Sequence, residues 1–156
     1  MSAVIVLPAN PMPTEQFAAE ELAKYLKQSI GIEVPVASQV GTGVYAFVIG
    51  APNRNAAATA FISAEEFAAK VPGPEGMYIQ IGEQSTLIAG SEDGDKFNRG
   101  TLYGVYEYLE RYLNCCFGAY TKAGVLGGEI VPTYDELTLP NNEKHRRCLD
   151  ASAVFF

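Results

Sequence analysis

GMYIQIGEQSTLIAG, residues 76–90, decides the architecture of this 156-residue chain. Met77, Ile79 and Ile81 alternate onto one face of an extended segment, Gly82 to Ser85 supply a turn, and Thr86 to Ala89 return, so the stretch predicts a β-hairpin. A hairpin here breaks the strand–helix alternation of a doubly wound parallel fold. It predicts instead an α+β domain, a mixed β-sheet of four or five strands with two main helices packed on it.

On the N-terminal side, residues 3–7 (AVIVL) read as a buried strand stopped by Pro8, Pro11 and Pro13. Thr14 offers an N-cap and Glu15 a first-turn acid for a helix in which Ala18, Leu22, Tyr25, Leu26 and Ser29 recur at helical spacing, with Gly31 as its stop. Glu20 and Lys24, four residues apart on the outer face, are expected to pair. Residues 33–36 predict a short strand that Pro35 restricts to an edge, and residues 44–49 (VYAFVI) a further strand. Residues 53–59 lack a period and read as loop. Ser63 and Glu66 form a capping box for a short helix ending near Lys70.

On the C-terminal side, Leu102, Val105, Tyr106, Leu109 and Leu113 form the apolar stripe of the second main helix. Gly100 and Gly104 lie one turn apart within it. Glycine costs about 1 kcal/mol relative to alanine in a helix interior, so the pair signals close approach of another backbone. Gly90, Gly100 and Gly104 are therefore read as structural. Residues 125–139 suggest short strands or extended chain, and the polar residues 141–150 a linker. The apolar residues 151–156 read as the start of a missing following domain, with a capacity for self-association. The expected division is a domain over residues 1–140, then linker and following-domain start over 141–156.

With 48% hydrophobic and 19% charged residues, the chain has the composition of one ordinary globular domain. A formal net charge of −7 argues against a nucleic-acid partner, and the apolar runs are too short to span a membrane. Residues 1–8 carry no basic leader or small-residue cleavage pattern, which makes the cytoplasm the default expectation. Cys115, Cys116 and Cys148 are odd in number, lack metal-ligand spacing and are expected to be reduced.

No residue pattern demands catalysis. His145 and Cys148 lie three residues apart, yet a nucleophilic pair needs a third orienting group that the polar tail does not supply. Glu92, Asp93 and Asp95 flank Gly94 without the alternating ligands of a calcium loop. Glu107 and Arg111 have the spacing of a surface ion pair. Gly50, Gly90 and Gly100 form no phosphate-binding fingerprint. No catalytic residue, cofactor or metal is expected. Tyr103 and Tyr108 are the candidates for stacking on a sugar or meeting a neighbouring domain.

The string FAAEELAKYL (residues 17–26) followed by Ile30-Gly31-Ile32 and Val34-Pro35-Val36 resembles the opening of the N-terminal domain of family 67 α-glucuronidases. It equally resembles the second domain of β-N-acetylhexosaminidases. FVIG (47–50), EGMYI (75–79), LIAG (87–90), RGTLYGVYEYLE (99–110) and the Pro132 to Pro140 segment extend the likeness over residues 3–140. The resemblance implies a zincin-like fold without its metal site. It also implies that chemistry belongs to a following (β/α)₈ barrel, of around 250 residues in general, so no catalytic residue carries over. One departure is Asn114-Cys115-Cys116-Phe117, where the family has Gly-x-Arg and an aromatic. The implied function is a non-catalytic accessory domain of a carbohydrate-active protein, an α-glucuronidase or hexosaminidase-like glycoside hydrolase, partnered by the barrel or by carbohydrate. The alternative is a stand-alone binding or protein-interaction module of the same fold.

Overall fold

Alternating apolar residues build the centre of the sheet in a computed structural model that describes residues 2–71, 73, 75–91, 99–119, 128–136 and 144–147. The strands are β1 (Ala3–Val6), β2 (Val36–Ala37), β3 (Tyr45–Ile49), β4 (Met77–Ile81), β5 (Ser85–Gly90) and β8 (Lys144–Arg147), in the spatial order β2-β1-β3-β5-β4-β8. β2, β1, β3 and β5 run parallel, β4 returns antiparallel to β5 through the hairpin, and β8 is antiparallel to β4. The sheet is therefore mixed and the fold α+β, with the hairpin as the point at which the strand direction reverses.

Both faces of the sheet are covered, as its strand sequences require. On one face Ile5, Phe47, Ile49, Ile79, Ile81 and Ile88 pack against α1 (Pro13–Ile30) and α3 (Gly100–Leu113), which contribute Leu22, Tyr25, Leu26, Val105, Leu109 and Leu113. On the other, Val4, Val6, Val48, Tyr78 and Leu87 meet Ala58 of a 3-10 turn (Ala56–Ala60), Ile62, Phe67 of α2 (Ala64–Lys70) and Val71. A separate two-stranded ribbon, β6 (Cys116–Ala119) and β7 (Gly128–Ile130), closes over the C-terminal ends of α1 and α3. Ser29 at the end of α1 donates to the Pro132 carbonyl at 2.7 Å, and the Tyr134 hydroxyl donates to the Leu113 carbonyl at 3.1 Å.

Several local expectations change. α1 starts at Pro13 with Met12, not Thr14, as its N-cap. Proline at the first helical position has no N–H to satisfy, and Glu15 reaches back to accept from the Met12 N–H at 2.7 Å. Lys24 pairs with Glu21 at 3.4 Å rather than with Glu20, because its ammonium also donates to the Tyr25 hydroxyl at 3.0 Å. The segment read as loop contains the 3-10 turn, capped by Asn55, whose Oδ1 accepts from Ala57 N. The stretch read as linker supplies β8. Its polar sequence carries no period-2 apolar signal, and an edge strand that pairs through its backbone needs none. Ser63 caps α2 by accepting from Glu66 N, and Asn114 ends α3 in the left-handed region at φ 52°.

Two contacts fix how the helices sit. The first is a buried ion pair: the Glu15 carboxylate, fully buried, accepts from Arg54 Nε at 3.0 Å and from Arg54 Nη2 at 3.0 Å, while Nη2 also donates to the Asn10 carbonyl. This fork joins the start of α1 to the loops after β1 and β3. Gly50, at φ +103°, leaves the room, since a Cβ there would come within 2.9 Å of Glu15 Oε1. The second contact is backbone on backbone. A Cβ on Gly90 would overlap the Thr101 nitrogen and the Gly100 carbonyl carbon, and one on Gly100 would overlap the Gly76 carbonyl oxygen. Gly104, one turn on, faces Ile88 Cγ2 at 2.9 Å and Met77 Cβ at 3.6 Å from its would-be Cβ.

These contacts predict a ranking. Gly90→Ala and Gly100→Ala collide with backbone that cannot yield and are expected to cost more than the roughly 1–3 kcal/mol of ordinary overpacking. Gly104→Ala meets an isoleucine methyl that can turn and should cost less than either; urea unfolding of the three variants measures the order. Arg54→Ala leaves Glu15 buried without its cation and is expected to lower stability by about 3 kcal/mol, again read from the urea midpoint.

Candidate functional site

Tyr103 and Tyr108, the candidates for sugar contact, do not share a surface. Tyr103 is half-buried and lies near the Arg99 guanidinium at the start of α3. Tyr108 is fully buried, five residues on and so rotated to the sheet side of the helix. Its ring packs edge-on against Phe47 at 5.8 Å and tilts against Tyr112 at 5.2 Å. Burial holds its phenol well above the ordinary value, with Tyr45 and Tyr112 adding to the effect. No sugar reaches it, and the expectation of a stacking or domain contact at Tyr108 is corrected to a core role.

The aromatic and carboxylate groups that do converge are Tyr25, Tyr106 and Phe117 with Glu21 and Glu129, where α1, α3 and the ribbon meet. Phe117 stands edge-on between Tyr25 at 5.0 Å and Tyr106 at 4.9 Å. The Tyr106 hydroxyl donates to Glu21 Oε2 at 2.8 Å, and the Tyr25 hydroxyl accepts from Lys24 Nζ at 3.0 Å with the Glu129 carboxylate nearby. Burial raises both phenols above their usual range; the bond to Glu21 adds to it at Tyr106, whereas at Tyr25 the Lys24 ammonium works against it and Glu129 with it. Sequence reading placed Tyr25 and Tyr106 in apolar stripes and missed their polar partners. Phe117 and Glu129 lie on the ribbon, and nothing in the periodicity of the helices points to them.

Paired acid and base work needs two carboxyl groups facing one cleft. Glu15 and Glu21 are the carboxylates set deepest in α1, and they face different partners: Glu15 meets Arg54, Glu21 meets Tyr106. Cys115 is buried and Cys116 exposed. Burial, with Glu110 and Glu129 nearby, raises the Cys115 thiol and keeps it protonated, the opposite of an activated nucleophile. His145 lies on β8, its backbone paired with Ile79. Cys148, the acidic loop at 92–95 and the tail at 151–156 lie outside the described residues. Among the described residues no three His, Cys, Asp or Glu side chains gather as metal ligands do, and no helix is long and apolar enough to cross a membrane.

Open depressions on the surface are lined by described residues. One of about 490 Å³ lies between α1 and residues 33–35, lined by Ala23, Lys24, Lys27, Glu33, Val34 and Pro35. Its charges are already spent, Lys27 on Glu33 at 2.6 Å and Lys24 on Glu21. Another, about 170 Å³, is lined by Gly43, Val44, Tyr45, Glu83 and Gln84. The Tyr45 hydroxyl there is bonded to Thr86 Oγ1 at 2.7 Å.

The fold is shared with part of a large carbohydrate enzyme. A family GH115 4-O-methyl-α-glucuronidase described as specific for decorated arabinogalactans superposes with a TM-score of 0.62 at 12% identity, over 93% of this chain and 17% of its own. A Streptomyces plicatus β-hexosaminidase, in complex with its product, gives 0.42 at 17% identity over 84% of this chain and 22% of its own. A GH138 enzyme targeting pectin rhamnogalacturonan II gives 0.44 at 15% identity, over 70% and 10%. The chain thus spans about a fifth or less of the length of these enzymes. No curated protein matches it in sequence. The model of the glycosyl hydrolase family 67 N-terminus matches residues 1–108, two thirds of the chain and every element from β1 to the first half of α3, and the chain belongs to that family.

Proposed function

We propose that this chain is the non-catalytic N-terminal accessory domain of a glycoside hydrolase of the α-glucuronidase or hexosaminidase-like kind. The family match over residues 1–108 carries the reading. The chemistry of the described residues supports it: the buried carboxylate of Glu15 is held by a guanidinium, the Glu21 carboxylate by a phenol, and the buried Cys115 thiol is kept neutral. A carboxylate whose oxygens are both held by an arginine fork is committed to contacts within the fold, which is a part in assembly. The domain's part is then to present a rigid surface to a catalytic partner that holds the acid and base elsewhere in the polypeptide.

The purified 156-residue chain is expected to turn over neither aryl glucuronides nor aryl N-acetylhexosaminides. Turnover that survives repurification and is abolished by a substitution within this chain, Glu21→Gln for example, would sink the reading. The complete open reading frame provides the complementary check, a barrel-length extension after Phe156 being the expected result.

A further inference from the structure

Beneath the second half of α3, hydroxyl groups converge in the interior of the domain. Tyr45 and Phe47 on β3 alternate onto the face of the sheet that α3 covers, and so do Thr86 and Ile88 on β5, with Thr86 in register with Phe47. Tyr108 and Tyr112, one turn apart on α3, come down on the same region. The Phe47 ring stands between two phenols, edge-on to Tyr45 at 5.2 Å and to Tyr108 at 5.8 Å, and Tyr112 tilts against Tyr108 at 5.2 Å.

The hydrogen bonds among these hydroxyls do not close. Tyr45 Oη and Thr86 Oγ1 share one bond at 2.7 Å, which uses one of their two protons. The Gly82 carbonyl lies 3.5 Å from Tyr45 Oη, outside the roughly 2.5–3.0 Å of a well-formed O–H···O bond. Tyr108 Oη is buried and has no hydrogen-bond partner among the described residues. A buried hydroxyl left unpaired is costly, and folded interiors pair nearly all such groups with protein atoms or with ordered water.

We propose that one ordered internal water molecule sits at the Tyr108 hydroxyl and bridges it to the Tyr45–Thr86 pair. Water brings two donors and two acceptors, which suits hydroxyls that have both a proton to give and lone pairs to fill. Burial holds the Tyr45 and Tyr108 phenols above their ordinary value, so both keep their protons at neutral pH and neither offers a cation a charged ligand. The depression lined by Gly43, Val44, Tyr45, Glu83 and Gln84 reaches Tyr45 from the solvent side and gives water its way in. The water then acts as a spacer under α3. At its first turn the helix lies on bare backbone, where Gly90 and Gly100 meet, and at its third turn on a hydrated layer of hydroxyls.

Two measurements on the 156-residue chain test the site. A crystal structure is expected to show an ordered water within about 2.5–3.0 Å of Tyr108 Oη and of either Tyr45 Oη or Thr86 Oγ1. Absence of water there, or a protein atom bonded to Tyr108 Oη in its place, overturns the proposal. In solution, Tyr108→Phe removes one arm of the bridge and should lower the melting temperature by about 2–4 °C. A hydroxyl buried dry would be relieved by the same substitution, so a melting temperature that rises or stays unchanged also overturns it.

Discussion

The start of α3 lies directly on the backbone at the ends of β4 and β5, with Gly76, Gly90 and Gly100 in contact and no side chain between them. A helix normally rides on a sheet with side chains as spacers. Here three glycines remove the spacers, and the axis of α3 comes close enough for its first turn to bond to the sheet: Gly90 N donates to Thr101 Oγ1 at 3.0 Å. Because the hydroxyl of Thr101 is buried, that bond satisfies a group that would otherwise be costly. The depth of this contact decides where Val105, Leu109 and Leu113 enter the core and where Asn114 turns the chain into the ribbon.

The other helices follow from the same closure. With α3 seated, α1 packs beside it on the same face, and Glu21 and Tyr106 join the two at their outer edge. The opposite face is left to short elements, the 3-10 turn and α2, which suffices because the small residues Ala46, Ala51, Ala58 and Ala89 share that layer with a few larger ones. Asn55 holds this thinner layer in place, since its amide donates to carbonyls of both β1 and β3 and its oxygen caps the turn. One polar side chain thus satisfies two backbone acceptors and one donor at a junction that apolar contact alone would leave unpaired.

The two ends of the domain differ in construction. The end capped by the ribbon is sealed by aromatic contacts and by carbonyl bonds from Ser29 and Tyr134. The end where the parallel strands finish is tied by charge, with Arg54 spanning Asn10 and Glu15. In this family 67 N-terminal domain Glu15, Arg54 and Glu21 are spent on the domain's own architecture. Its structural likeness to a GH115 enzyme, at 12% identity, shows that very different sequences reach this fold.

Local order was legible in the residues themselves. The alternation of Met77, Ile79 and Ile81 identified the hairpin, the stripe from Leu102 to Leu113 identified α3, and Ser63 with Glu66 marked the start of α2, because each is encoded within a few residues. What tertiary structure decided are the pairings between distant residues. Arg54 sits in a stretch without periodicity, yet it closes on Glu15, 39 residues away. Lys144–Arg147 is polar throughout, yet the open edge of β4 pairs it as a strand. Tyr108 and Tyr103 look alike in sequence, and only the direction from which the sheet approaches α3 puts one in the core and the other at the surface. Periodicity and turn chemistry act over one or two turns of chain, whereas a buried ion pair, an edge strand or a ring's burial depends on which segments the closed fold brings together.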